Sequence, residues 1–275
     1  MSATNLTLPA GLTGRDQAAT LRGLGFVLFA MVVLPGQDAV AKYLSSDLSP
    51  GEISWMRFLL QTVLTVPFLW YFHGWSGFWP VRPWENALRG ALISVGSLLF
   101  FAAVKLMPIA DALAIFFIEP FILIILAAII DKEQIGWALR IAVATGFLGV
   151  LLVVQPSYKV FGAVSLLPAI AGCIFAVYIM LSRRVSLSDT PLAMQFAAGV
   201  SASVVLGIAV ACGSAFGLTD FTLHPLDSGL CGLLLLMGLL GTTGHFAFVI
   251  GSRLAPASVV APLQYVEIVT AVVLG

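Results

Sequence analysis

Residues 90–126, GALISVGSLLFFAAVKLMPIADALAIFFIEPFILIIL, are echoed without a gap by residues 238–274, GLLGTTGHFAFVIGSRLAPASVVAPLQYVEIVTAVVL. The shared positions include glycines, an aromatic, a proline and a carboxylate: Gly90 and Gly238, Gly96 and Gly244, Phe100 and Phe248, Pro108 and Pro256, Glu119 and Glu267. Each copy predicts two apolar helices joined by a short loop, with one carboxylate deep in the second helix. A repeat of this kind in a membrane chain is typical of secondary transporters.

The composition predicts a polytopic membrane protein. The chain is 60% hydrophobic and 9% charged, whereas soluble domains average about 25% charged residues. The mean hydropathy of +1.06 requires many spans, since each needs about 20 apolar residues to cross the bilayer. The formal net charge is zero, so nothing indicates a nucleic-acid partner. The three cysteines lack metal-ligand spacing, and neither a metal nor a cofactor is expected.

Continuous apolar runs predict an all-α membrane helix bundle with nine spans. The predicted spans are Gly23–Leu44, Glu52–Tyr71, Leu88–Met107, Ala110–Ile130, Ile135–Val154, Phe161–Leu181, Pro191–Cys212, Leu230–Ser252 and Ala255–Gly275. The repeat unit holds five helices, so a tenth span is expected after the ninth and is missing from this chain. Because five is odd, the second copy must insert in the opposite direction from the first.

Charged residues in the short loops predict the topology. Lys and Arg concentrate on the side that holds the N-terminus, and this bias marks the cytoplasmic face. Three regions are therefore expected: a cytoplasmic tail over residues 1–21, a first five-helix repeat over 22–155, and a second, inverted repeat over 160–275, of which four helices are present.

Two carboxylates stand out because charge is costly inside a bilayer. Glu119 and Glu267 occupy equivalent repeat positions near the expected midplane, and Pro120 or Pro262 interrupts the helix beside each. A broken helix with a carboxylate at this depth suits a substrate ammonium or a coupled proton. The structural alternative is a neutral Glu that forms an interhelical hydrogen bond.

A second polar group lies closer to the outer surface. Asp38 and Lys42 are spaced to form an ion pair on one face of the first span. Together with Arg57 they are candidate gating residues. The structural alternative is a local ion pair at the membrane surface.

Aromatic residues gather on the same spans as the carboxylates. With the two carboxylates, the candidate substrate-binding residues are Phe101, Phe117, Glu119, Phe175, Tyr178, His245, Tyr265 and Glu267. Together they predict a cavity for an apolar or amphipathic small molecule. Packing and lipid contact are the alternative for each ring, and a simple hydrogen bond is the alternative for His245. No credible catalytic residues are found, so an enzyme is not expected.

The chain resembles the EamA-type, ten-helix branch of the drug/metabolite transporter superfamily. The resemblance rests on Lys42 at the end of the first span, Pro50-Gly51-Glu52 followed by Met56-Arg57-Phe58, Pro108 and Pro120 around the fourth span, Lys132-Glu133, and Gly146-Phe147-Leu148-Gly149-Val150. Within the superfamily, the pattern is most similar to amino-acid exporters of the YddG type.

This resemblance implies a helical basket around a central cavity in the bacterial inner membrane. It also implies export of amino acids, aromatic ones included, or similar metabolites by alternating access. The partners are then a small-molecule substrate, the lipid bilayer and a candidate coupled proton. The alternatives within the fold are an effluxer of drugs or cations and a carrier of the nucleotide-sugar type. A membrane enzyme or scaffold is the alternative from another class.

Overall fold

The computed structural model describes residues 14–130, 158–255 and 257–274, with isolated positions between 141 and 152. Its helices are α1 (Gly14–Leu44), α2 (Pro50–His73), α3 (Pro83–Leu106), α4 (Ile109–Phe116), α5 (Glu119–Ile130), α6 (Leu166–Val185), α7 (Pro191–Ala215), α8 (Ser228–Leu254) and α9 (Ala257–Leu274). Short 3-10 helices cover Gly74–Phe78, Gly162–Ser165 and Thr219–Phe221. The predicted all-α fold is confirmed. The predicted fifth span, Ile135–Val154, lies almost wholly outside the described residues.

Seven helical stretches of the described part are long and apolar enough to cross a membrane. They match predicted spans, with α4 and α5 counted together as the fourth. Helix α9 coincides with the ninth predicted span and runs unbroken through Pro262, so the helix break predicted there is wrong. The protein is therefore a multi-pass membrane protein.

The fourth span is interrupted where the sequence predicts a break. Helix α4 ends at Phe116, and α5 begins at Glu119. Pro120 has no N–H to donate back to the Phe116 carbonyl, so the regular hydrogen-bond ladder cannot continue there. Gly172 on α6 lies against this point, because a β-carbon at that position would collide with the carbonyl oxygen of Phe116. A glycine is thus required for α6 to approach the break.

Helices α2 and α7 begin in the same way. Each has a proline as its first residue, at Pro50 and Pro191. The preceding hydroxyl caps the helix in both cases: Ser49 Oγ accepts from the backbone N–H of Glu52 at 3.2 Å, and Thr190 Oγ1 accepts from Ala193 at 3.3 Å. The shared start of α2 and α7 extends the repeat to these two helices, beyond residues 90–126 and 238–274, where the sequence shows it most clearly.

The most extensive helix packing among the described helices joins one repeat to the other. Helix α1 packs on α8 and α9, α2 packs on α7 and α8, and α3 packs on α6 and α7. The broken fourth span packs on α6. In the repeat, α1 is equivalent to α6, α2 to α7 and α3 to α8. Exchanging equivalents turns the α1–α8 contact into an α6–α3 contact and the α2–α8 contact into an α7–α3 contact, and both of these contacts are present. This is the arrangement of two repeats related by a pseudo-two-fold axis.

Candidate functional site

A cavity lies between the two repeats. Its lining comes from α1, α2, α3, the fourth span, α6, α8 and α9. The centres of water-sized molecules can occupy about 90 Å³ of it, and one water needs roughly 10–15 Å³ by that measure. The cavity therefore has room for several waters or a small group in this arrangement of the helices.

The structure brings most of the predicted site residues to this cavity. Those that line it are Asp38, Arg57, Phe101, Phe117, Glu119, Phe175, His245 and Glu267. The rings of Phe100, Phe116 and Phe248 complete an aromatic wall. The cavity thus combines one cation, three carboxylates and several aromatic faces.

The lining follows the repeat. Three repeat-equivalent pairs contribute both members to the cavity: Ser97 and His245, Phe100 and Phe248, Glu119 and Glu267. Equivalent residues meet in one space only when the symmetry axis passes near it. The cavity therefore sits where a substrate site is expected in a transporter with inverted repeats.

Arg57 is the cationic centre of the cavity. It is buried, with only 2% of its surface exposed. Its Nε donates to Gln37 Oε1 at 2.7 Å, and its Nη1 donates to Ser97 Oγ at 2.8 Å. Gln37 in turn donates from Nε2 to Asp38 Oδ1 at 3.0 Å. The amide thus joins the guanidinium to the carboxylate and positions both.

Aromatic rings flank the Arg57 guanidinium. Its central carbon lies 4.3 Å from the ring centroid of Phe58 and 6.0 Å from that of Phe101. Both distances are within the range of cation–π attraction. The rings therefore hold the guanidinium plane without using its hydrogen-bond donors.

Two buried polar atoms of the lining have no hydrogen-bond partner among the described residues. They are Glu119 Oε1 and His245 Nδ1. Glu119 is 2% exposed and His245 is 8% exposed. Buried polar atoms are nearly always satisfied, and each exception calls for an explanation. A bound ligand supplies such an explanation, because both residues line the cavity.

The prediction of an ion pair between Asp38 and Lys42 is wrong. Lys42 Nζ donates instead to the backbone carbonyls of Val104 at 2.9 Å and Met107 at 2.8 Å. These carbonyls belong to the end of α3, where the last turn has no intrahelical donors and carries partial negative charge. Asp38 instead accepts a hydrogen bond from the side-chain amide of Gln37.

Among the predicted substrate-binding residues whose side chains are described, Tyr178 is the one that does not line the cavity. The ring of Tyr178 stacks on Phe175 with centroids 5.2 Å apart, and the Arg89 guanidinium lies 5.2 Å from the Tyr178 centroid. Tyr178 is therefore a buried residue behind the aromatic wall. The side chain of Tyr265 lies outside the described residues.

A buried polar cluster at the start of α3 was not predicted. Arg89, 1% exposed, donates from Nη1 to Asn86 Oδ1 at 2.7 Å and from Nε to Ser182 Oγ at 2.8 Å. Asn86 Nδ2 donates to Asp189 Oδ2 at 2.8 Å, and Asp189 Oδ1 accepts from the backbone of Val81 at 2.7 Å. Arg89 lies within the predicted span Leu88–Met107. Its position inside the apolar run is the signal that could have found it.

Gln37 and Ser97 were also missed as cavity residues. The repeat would have revealed Ser97, since it is the equivalent of His245. Gln37 carries no such signal, because nothing in its sequence neighbourhood shows that Arg57 approaches it.

Comparisons with known proteins agree with this architecture. Residues 21–155 match the EamA-like transporter family. An S-adenosylmethionine uptake transporter of Rickettsia felis is 26% identical over 90% of this chain and 81% of its own length. An uncharacterized transporter of Helicobacter pylori strain J99 is 25% identical over 93% of this chain and 86% of its own length.

More distant similarity points the same way. A riboflavin transporter of Rhizobium johnstonii is 26% identical over 70% of this chain and 61% of its own length. A solved crystal structure superposes with a TM-score of 0.64 at 19% identity, covering 94% of this chain and 87% of that chain. The repeated helices, the shared cavity and these similarities together identify the chain as a membrane transporter whose residues 21–155 match the EamA-like transporter family.

Proposed function

We propose that this protein moves a small zwitterionic metabolite, one with an α-amino-acid group and a ring, across the bacterial inner membrane by alternating access. The observation that carries the proposal is the lining of the cavity. Arg57, Glu119 and Glu267 face one space, and phenylalanine rings form much of its remaining wall.

The guanidinium suits the carboxylate of such a substrate. Arginine has five N–H donors, and two donors of Arg57 are used by Gln37 and Ser97. The remaining donors can bind a carboxylate in the charge-assisted manner for which arginine is preferred. The bonds already made hold the side chain in place, so little side-chain freedom is lost on binding.

The two glutamates suit the ammonium end. Glu119 Oε1 is buried without a hydrogen-bond partner among the described residues, and Glu267 lines the same cavity from the other repeat. An ammonium placed between them gains charge-assisted hydrogen bonds. A proton bound to either glutamate is the alternative occupant, and it would couple transport to the pH gradient.

The aromatic wall suits a ring. Phe100, Phe116 and Phe175 form a continuous run, with ring centroids 5.5 Å apart at each step. Flat apolar surfaces of this kind pack against planar substrates. The wall therefore supplies the apolar contacts of the site, while the charged residues orient the substrate.

Two substrate groups share the required chemistry. Aromatic amino acids are the substrates suggested by the sequence pattern. S-adenosylmethionine, which names the Rickettsia felis relative, also joins an α-amino-acid group to a planar ring. Riboflavin has a ring but no paired ammonium and carboxylate, so it fits less well. The direction expected from the sequence is export, whereas that relative is named for uptake.

The other carriers considered above fit the cavity less well. A carrier of simple organic cations would have to place positive charge near Arg57. A nucleotide-sugar carrier must neutralise two phosphates, and Arg57 is the only Lys or Arg in the described lining. A zwitterion uses the cation and the carboxylates together.

The test is substrate counterflow with the purified protein in proteoliposomes. Vesicles loaded with unlabelled compound should accumulate labelled S-adenosylmethionine or labelled tryptophan, with and without a pH gradient. Competition should require both the amine and the carboxylate, so tryptamine and indole propionate should compete poorly. Counterflow of riboflavin alone, with neither of the two amino-acid compounds transported, would contradict the proposal.

A further inference from the structure

The ends of α1 and α6 are equivalent in the two repeats. Helix α1 ends at Leu44 and α6 at Val185. The turns that follow repeat the same hydrogen bond: Leu48 N donates to Leu44 O at 2.8 Å, and Asp189 N donates to Val185 O at 3.0 Å. Counting back from these turns makes Arg183 the equivalent of Lys42.

The ends of α3 and α8 are equivalent as well. Met107 N donates to Ala103 O at 3.0 Å, and at the same repeat position Ala255 N donates to Gly251 O at 3.0 Å. The carbonyls that receive Lys42, those of Val104 and Met107, therefore correspond to the carbonyls of Ser252 and Ala255.

These equivalent ends are arranged differently. In the first repeat, Lys42 joins the end of α1 to the end of α3 through two hydrogen bonds. In the second repeat, the ends of α6 and α8 flank a pocket lined by Ser182, Arg183, Ser186, Ser252 and Arg253. The ends of α1 and α3, here called the Lys42 end, are joined by hydrogen bonds. The equivalent ends of α6 and α8, here called the Arg183 end, are separated by the pocket.

The Arg183 end lies beside the central cavity. Phe248 lines both the cavity and this pocket, so its ring forms part of the wall between them. Movement of that ring would connect the two spaces. By the predicted topology this is the cytoplasmic end, and Lys42 closes the outer one.

We propose that Lys42 and Arg183 are the paired gate residues of the transport cycle. In the alternate state Arg183 donates to the carbonyls of Ser252 and Ala255 and closes the end of α6 on α8, while Lys42 leaves α3. The inference rests on the alternating-access part of the proposed function and not on the substrate.

Physical reasons support the exchange. A helix end offers unpaired carbonyls and partial negative charge, so a cation binds favourably at either end of the bundle. Inverted repeats exchange conformations when a transporter changes state, so the contact made by one repeat is the contact that the other makes next. The guanidinium of Arg183 has enough donors to reach two carbonyls.

The test measures two equivalent distances in the full chain with its three native cysteines replaced by serine. Spin labels at Ser46→Cys and Leu106→Cys report the Lys42 end. Labels at Leu187→Cys and Leu254→Cys report the Arg183 end. Pulsed electron–electron double resonance in substrate-free proteoliposomes gives the distance distribution for each pair of labels.

Lys42→Met should move the Lys42-end pair toward longer distances and the Arg183-end pair toward shorter ones. Arg183→Met should remove any short population of the Arg183-end pair and lower the transport rate. Each change in the ratio of the two populations should be at least about tenfold, because two hydrogen bonds from a charged donor are lost. Lys105→Met, which removes an exposed cation beside the Lys42 end, should change neither pair.

Arg183 is exposed, so its truncation leaves the packing intact and the test remains decisive even when Lys42→Met does not fold. Arg183→Lys keeps a charged donor, so the short-distance population of the Arg183-end pair that is lost in Arg183→Met should be present in it. Unchanged distributions and normal transport in Arg183→Met would overturn the gate assignment. Loss of transport for one substrate with normal distance changes would count against the proposed substrate and leave the gate intact.

Discussion

Arg57 and Asp38 are linked through the amide of Gln37, which accepts from the guanidinium at 2.7 Å and donates to the carboxylate at 3.0 Å. The opposite charges are thus held in register without direct contact. Each keeps hydrogen-bonding capacity toward the cavity that both of them line. The amide is consequently as important to the site as the charges.

Gln37→Leu should reduce transport and stability together. It removes the hydrogen bonds that position Arg57 and Asp38, and a buried polar group left without its partner costs about 1–3 kcal/mol. Counterflow rates and thermal unfolding in detergent measure the two effects. Gln195→Leu is the matched control, since that buried amide donates to Thr242 O at 3.2 Å and does not line the cavity. It should lose stability but keep the wild-type KM.

Arg57→Lys should weaken binding of substrates that carry a carboxylate. Lysine keeps the charge but lacks the planar pair of donors that binds a carboxylate in two places. We expect KM to rise about tenfold or more, in line with the loss of a charge-assisted hydrogen bond. Inhibition by an amine that lacks the carboxylate, such as tryptamine, should change less. Equal changes for both compounds would argue that Arg57 only supports the helices.

Glu119→Gln and Glu267→Gln test the two equivalent carboxylates. Glutamine keeps the size and the hydrogen bonding but cannot titrate. At least one variant should lose transport or its pH dependence while the protein still inserts and folds. The measurement is the counterflow rate across a pH series, with size-exclusion elution as the folding control. Wild-type rates and pH profiles in both variants would leave only a packing role.

Gly90→Ala should destabilise the contact between α3 and α7. An added β-carbon would lie 2.5 Å from the carbonyl oxygen of Ala198 and 2.5 Å from the β-carbon of Ser201. Such overpacking typically costs about 1–3 kcal/mol, so the unfolding temperature should fall. Gly232→Ala on α8 is the control, because a β-carbon there meets nothing within 4 Å. A fall in both variants would indicate a general effect of alanine.

The predicted topology places Lys159 and Asp220 outside and Arg183 inside. Single cysteines at these positions, in a chain without native cysteines, should react with an impermeant maleimide from the corresponding side of intact cells. All three residues are exposed in the structure, so burial does not limit the reaction. Labelling of Asp220 only after the cells are opened would reverse the assigned orientation.

The sequence predicts the helices and the shared cavity because both follow from strong local signals. Apolar length fixes the spans, and the repeat brings Glu119 and Glu267 to one space. The partner of Lys42 could not be predicted, because backbone carbonyls at a helix end leave no mark in the side-chain pattern. Gln37 and Asn86 were missed for a related reason. Each relays an arginine to an aspartate, and which amide does so depends on how the helices pack.

The pairing of each repeat with the other has a consequence for biosynthesis. The most extensive described contacts join α1 to α8, α2 to α7 and α3 to α6, so the helices that are made first lack their main partners until the second half of the chain has been synthesised. Chains of this kind depend on their later segments to complete the fold. The first half therefore gains its most extensive described contacts only after the second half has been inserted.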